Sequence, residues 1–216
     1  MCIRDSVKLM AGSWGTLGVI TEVSFKVLPI AETQSTLKIN FCDANILNKA
    51  INTPYDVSGT FYDVGSRVSY IRVEGFDKSV KYRIKQLLGE FSDFEVDILE
   101  MEESKKFWQN VSNLDFLKNI KGDLWRVSVR PTDGVKIIQM LNPKVGFLDW
   151  CGGLVWLRVD EGFDVREKMQ KVAGHAMCLL GKFEQFHPIS TAEKTLSNSI
   201  RKKFDPKMLL NRELLN

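Results

Sequence analysis

Three glycines recur at steps of three in Gly12-Ser13-Trp14-Gly15-Thr16-Leu17-Gly18, and the run continues Val19-Ile20-Thr21-Glu22. Glycine lacks the Cβ that would hold a ligand away from the backbone, so this stretch can approach a bound group closely. Ser13 and Thr16 set hydroxyls beside backbone N–H groups, a combination suited to a phosphate or to the polar edge of a ring. The same spacing also describes a tight turn ahead of an edge strand. It is not the dinucleotide-binding fingerprint, which needs a strand before the glycines and a helix after them. Here the strand follows.

Isolated side chains offer further chemistry. His175 could act as a general base or as a donor to a ring edge, because imidazole titrates near neutral pH. It also stands alone at the start of an apolar strand, where a structural role is the plainer reading, and His187 lies in a loop before Pro188. Arg126 and Arg158 each interrupt an apolar strand. Either could grip a substrate carboxylate through two parallel N–H bonds, or point from the solvent face of an antiparallel sheet. Trp108, Trp125, Trp150 and Trp156 could flank a flat cofactor, although core packing accounts for them equally well. A single histidine cannot supply a metal's ligands, and Cys2, Cys42, Cys151 and Cys178 stand far apart with no CxxC spacing. No metal site is expected.

The 216 residues carry a formal charge of +3, too small and too dispersed for a nucleic-acid face. Only residues 194–207 concentrate basic groups, as the solvated side of a helix would. No apolar run approaches the roughly 20 residues that cross a bilayer. The sparse cysteines fit a reducing, cytoplasmic setting.

These residues need elements to position them. In residues 17–28 the apolar Val19, Val23, Phe25 and Val27 keep a period of two, which predicts a half-buried strand stopped by Pro29. The polar residues 31–34 read as a boundary. Beyond them one pattern occurs twice. The first copy is a strand at 35–41, a helix at 44–51 with Asp43 as its cap, and strands at 57–62 and 68–73. Gly65 offers positive φ in the turn between those strands. A helix at 78–88 ended by Gly89 and a strand at 94–99 complete the copy. A helical insert at 102–117 aligns Phe107, Trp108, Val111, Leu114 and Leu117 in one apolar stripe. The second copy runs through a strand at 124–129, a helix at 133–141, strands at 145–150 and 154–159, a helix at 165–173 and a strand at 175–180. The expected class is α+β: two ferredoxin-like βαββαβ units joined in an antiparallel sheet with helices on one face. A last helix at 191–204 stops at Asp205-Pro206.

Gly12 to Glu22, followed by Lys26-Val27-Leu28-Pro29, resembles the end of the PCMH-type FAD-binding domain of FAD-linked oxidases in the vanillyl-alcohol oxidase superfamily. Lys203-Phe204-Asp205-Pro206-Lys207-Met208-Leu209-Leu210-Asn211 resembles that family's C-terminal signature. Between them, Leu124-Trp125-Arg126-Val127-Ser128-Val129, Leu148-Asp149-Trp150 with Trp156-Leu157, and Gly174-His175-Ala176 resemble landmarks of the FAD-binding E subunits of bacterial glycolate oxidases. The resemblance implies a division into residues 7–30, the end of the flavin domain; 35–188, the cap or substrate domain; and 189–216, a helix and tail returning to the flavin domain. Residues 1–6 fit none of this and read as a foreign leader on a chain truncated at its N-terminus.

Further implications follow from the resemblance. FAD would be lined by Gly12, Ser13, Gly15, Thr16, Gly18, Val19 and Ile20, mostly through backbone groups, with Asn211 approaching from the C-terminal side. Its ring would face the cap. Glycolate would be oxidised to glyoxylate by hydride transfer to the flavin, and electrons would pass to an iron–sulfur subunit. A paralogous FAD-binding subunit would complete the complex, and a membrane would be met only peripherally, on its inner face, through these partners. Trp14 departs from a position that is often acidic in the family, and Arg212-Glu213 replace the usual proline and glycine. Of the histidines and acidic residue found near the substrate in related dehydrogenases, only His175 has a counterpart. Two alternatives stay open: a non-catalytic assembly subunit of such a complex, and a related hydroxy-acid or aldonolactone oxidase.

Overall fold

A computed structural model describes residues 3–41, 43–212 and 214. Cys2, Cys42 and Glu213, noted above, lie outside the described residues. The chain divides into two units, Met1–Leu28 with Pro188–Asn216, and Pro29–His187. Helix α1 (Ile3–Met10) opens the first unit. In the second unit, strand β1 (Thr33–Ile39), helix α2 (Asn45–Ile51), strands β2 (Gly59–Asp63) and β3 (Val68–Gly75), helix α3 (Asp77–Glu90) and strand β4 (Val96–Leu99) follow in order. Helix α4 (Met101–Ser112) and a 3₁₀ turn (Asp115–Leu117) come next. The strand and helix order then recurs as β5 (Asp123–Val129), α5 (Gly134–Leu141), β6 (Val145–Asp149), β7 (Leu154–Val159), α6 (Val165–Lys168) and β8 (Gly174–Leu180). Helix α7 (Thr191–Phe204) returns to the first unit.

The second unit is α+β, built on one antiparallel eight-stranded sheet in the order β4-β1-β3-β2-β6-β7-β5-β8. The halves join where β2 meets β6, with Tyr62 opposite Leu148. Strand alternation sorts side chains to two faces. On one, Leu37, Ile39, Ile71, Val127, Val155 and Leu157 pack under α2, α3, α5 and α6 as the main core. On the other, Phe61, Leu124 and Phe147 pack with Trp108, Val111 and Leu117 from α4 and its following turn. A polar contact sets the position of α4. Ser104 and Trp108, one helical turn apart, both meet the buried Thr36 hydroxyl, at 2.7 and 2.9 Å, and Gln34 donates to Ser104 at 2.8 Å. A buried indole N–H without an acceptor costs about 1–3 kcal/mol, so this contact fixes the register of α4 on β1.

Several local expectations give way. Residues 17–28 form no strand, and Val19, Phe25 and Val27 are 75%, 81% and 80% exposed. Alternation marks a strand only where a neighbour pairs with it, and no described segment does so here. Gly65 does not take positive φ. Asp63 instead accepts from Gly65 N–H at 3.0 Å and the Ser66 hydroxyl at 2.7 Å, and Arg67 takes the left-handed conformation with φ 57°. Gly89 lies inside α3, which continues to Glu90 and ends at Phe91, because the wholly buried Phe91 draws the chain back to the core. The helix expected at 165–173 stops at Lys168, and the one at 102–117 breaks at Leu114, which has φ 57°.

In the first unit, α7 starts with a capping box. The Ser190 hydroxyl accepts from Glu193 N–H at 3.3 Å, and the Glu193 carboxylate accepts from Ser190 N–H at 2.8 Å. Its last turn holds Arg201, 4% exposed, which gathers the tail behind it.

Candidate functional sites

The glycine run is held in place by the far end of the chain. Arg201 donates to the carbonyls of Leu210, Asn211 and Leu214 at 2.6, 2.9 and 3.2 Å. The Asp205 carboxylate accepts from Leu210 N–H at 2.7 Å. The tail so anchored presents Asn211, whose Nδ2 donates to the carbonyl of Trp14 at 2.6 Å. A Cβ on Gly15, which has φ +69°, would come within 3.0 Å of that Nδ2, so the approach suits glycine. Thr16 is buried and its hydroxyl donates to Ser13 O at 2.7 Å, closing the turn. Gly12 has φ +85° with open space beside it.

Gly12, Ser13 and Thr16 line a cavity of about 330 Å³ whose other walls include Lys8, Ser197 and Arg201. Arg201 Nε is buried with no acceptor among the described residues. Two cations, the hydroxyls of Ser13 and Ser197 and an orphaned N–H make this cavity a fit for an anionic group. Gly18 packs near Met10, while Val19 and Ile20 are exposed and lie outside the cavity.

The second unit has its own cavity, about 460 Å³, on the α4 face of the sheet. Arg126 lines it, with its guanidinium over the rings of Trp150 and Trp156 at 5.6 and 5.8 Å. Trp150 and Cys151 sit in a tight turn, both with positive φ, as is Gly152 at φ +96°. Gly134 at the start of α5 packs against this turn so closely that a Cβ would collide with the carbonyl of Gly152. The Thr60 hydroxyl accepts from Cys151 N–H at 2.8 Å from the sheet side. Arg72 shares the cavity, but it is engaged by the hydroxyl and carbonyl of Ser58, both at 3.1 Å, and by Glu74 at 3.6 Å. Burial raises the pKa of Asp149 above the usual carboxylate range, partly offset by the N–H of Trp150 and by Arg72.

Arg158 and His175 stand apart from this cavity. Arg158 is buried and donates to the carbonyls of Leu117 and Gly122 at 3.3 and 2.8 Å, which ties the α4 connection to β7. His175 is exposed on edge strand β8, edge-to-face with His187 at 5.4 Å between ring centres. His187 Nδ1 accepts from Ala176 N–H at 3.2 Å, and its pKa is lowered by burial, then by His175 and Arg166. Arg72, Asp149 and Arg201 are site residues that sequence reasoning missed. Arg72 carried the signal that marked Arg126, a cation inside an apolar strand. Arg201 carried none.

Among the described residues, no group of three His, Cys, Asp or Glu side chains could hold a metal ion. None of their helices is long and apolar enough to cross a membrane.

The chain is similar to the glycolate oxidase subunit GlcE of Escherichia coli (strain K12). The two are 29% identical over 208 residues, which cover 94% of this chain and 54% of that protein. The chain thus spans about half the length of the curated relative it matches. No family model matches it. The matched stretch is long enough to include parts of both units.

Proposed function

We propose that this chain is part of the FAD-binding subunit of a glycolate-oxidase-type complex, an oxidoreductase acting on a small 2-hydroxy acid. The similarity to a glycolate oxidase subunit along 94% of the chain carries the reading. The bond between Asn211 and Trp14 supports it, because it joins the two motifs that resemble opposite ends of an FAD-linked oxidase. In this reading residues 7–30 and 189–216 belong to a PCMH-type flavin domain. Residues 35–188 form the cap, each half of its sheet being a ferredoxin-like unit.

FAD, when bound, would supply the hydride acceptor for oxidation of the hydroxy acid. The chain's own residues bind and orient. Gly12 and Gly15 let the backbone approach the cofactor, Ser13 offers a hydroxyl while Thr16 closes the turn through Ser13 O, and Lys8 and Arg201 offset the charge of its phosphates. Asn211 holds the glycine turn in shape through Trp14 O. Electrons leave through an iron–sulfur subunit, beside a paralogous FAD-binding subunit, in a cytoplasmic assembly that meets the membrane through its partners.

A second reading, a non-catalytic assembly subunit, draws on one observation: no histidine lines the cavity on the sheet, and His175 faces His187 instead. The visible spectrum of the full-length subunit, purified alone and then with added FAD, tests the first reading. A flavin band that glycolate bleaches supports it. A retained flavin that glycolate bleaches only when the partner subunit is present supports the second. A protein with no flavin band even after FAD is added contradicts the proposed role.

A further inference from the structure

We propose that the cavity on the α4 face binds a monocarboxylate carrying an apolar body, with Arg126 as the anion grip. The oxidase reading is needed only to call this ligand a substrate; the binding site stands on its own geometry.

Arg126 is half-buried, and among the described residues its guanidinium meets two indole faces and makes no hydrogen bond or ion pair. The in-plane N–H edge of a guanidinium is the edge that matches a carboxylate, and no hydrogen bond among the described residues occupies it in Arg126. The other charges in the cavity are already answered. Arg72 is held by Ser58 and Glu74, and Asp149 accepts from Trp150 N–H at 2.7 Å. Among the described residues Arg126 is the cation in the cavity that no hydrogen bond or ion pair engages, which suits a single carboxylate.

Part of the wall is apolar, with Val57, Val111, Leu114 and Leu154 beside the indoles of Trp108 and Trp156, and Ser58, Thr60 and Ser112 complete it with polar groups. A volume near 460 Å³ lies well within the usual range for ligand pockets and exceeds what a two-carbon acid fills. An acid of glycolate's size would use the grip and leave the walls wet. A 2-hydroxy acid with an aryl or longer alkyl group would bury that surface as well.

Titration calorimetry on the full chain tests this with three probes: phenyllactate, glycolate and the neutral 3-phenylpropane-1,2-diol. Phenyllactate should bind saturably, at least about tenfold more tightly than glycolate, and the diol should bind more weakly than phenyllactate by a similar factor. Arg126→Met should weaken phenyllactate roughly ten- to a hundredfold. Circular dichroism and thermal melting would show whether that variant is folded. Trp150→Gly gives an independent arm, because Trp150 is 60% exposed and glycine suits its φ of 49°. It should keep the fold and weaken phenyllactate a few-fold. Absent binding of phenyllactate, equal binding of glycolate or of the diol, or undiminished binding in folded Arg126→Met or Trp150→Gly would each overturn the site. None of these results alters the spectral test above, so the two readings fail separately.

Discussion

The two candidate sites are built from different materials. Around Gly12–Thr16 the working surface is backbone. Glycines at positive φ, carbonyls gathered by Arg201 and one hydrogen bond donated by the Asn211 side-chain amide set its shape. In the sheet unit the surface is side chain: Arg126 and Trp156 project from strands, and their placement follows from alternation and register. A backbone site depends on conformations few residues can adopt, so it leaves a glycine signature in the chain. A side-chain site depends on which strands become neighbours, and that is settled by packing far from the residues themselves.

The contrast can be broken first at the sheet. Trp108→Ala removes a large core side chain and the donor to Thr36, and should cost about 3–5 kcal/mol in urea unfolding. A loss below about 1 kcal/mol would mean that α4 does not hold the cavity wall. At the other site, Arg201→Met should cost about 1–3 kcal/mol and expose residues 207–212 to faster amide exchange, since three carbonyls lose their common donor. Unchanged exchange there would separate Asn211 from the Arg201 anchor. Gly15→Ala should cost about 1–2 kcal/mol, from the left-handed conformation and the nearness of Asn211.

The smallest effect sharpens the edge of the sheet. His187 has its pKa lowered in the folded chain, so the unfolded chain binds more protons as pH falls through the ordinary histidine range near 6.5. Its contribution to stability is therefore present above that range and is lost on acidification toward the folded pKa. His187→Gln keeps a potential acceptor for Ala176 N–H but cannot titrate. It should flatten the slope of stability between about pH 5 and 7 relative to the parent. An equal slope in both would assign the pH dependence elsewhere.

Much of the sheet unit was legible because its strands alternate cleanly. Every strand of the sheet lies within two residues of its expected bounds, and β7 matches at both ends. The α+β class followed from that pattern. What was not legible depended on partners. Residues 17–28 alternate as a strand should, yet nothing among the described residues pairs with them, so apolar periodicity alone misled. Gly89 and Gly65 read as stop and turn signals, but the burial of Phe91 and the side chain of Asp63 decided those ends. Arg126 and Arg158 looked alike in sequence. One lines a cavity and the other ties two backbone carbonyls, a distinction made by their neighbours across the strands.

The central claim is that the glycine turn braced by Asn211 is part of a flavin site. The most direct measurement is a titration of FAD into the full-length subunit, followed by flavin fluorescence, for the parent protein and for Gly15→Val. The account predicts saturable binding by the parent, weakened at least about tenfold by the variant, because a β-branched residue at φ +69° would force the turn away from Asn211. Equal affinity in both, with both folded, would contradict it.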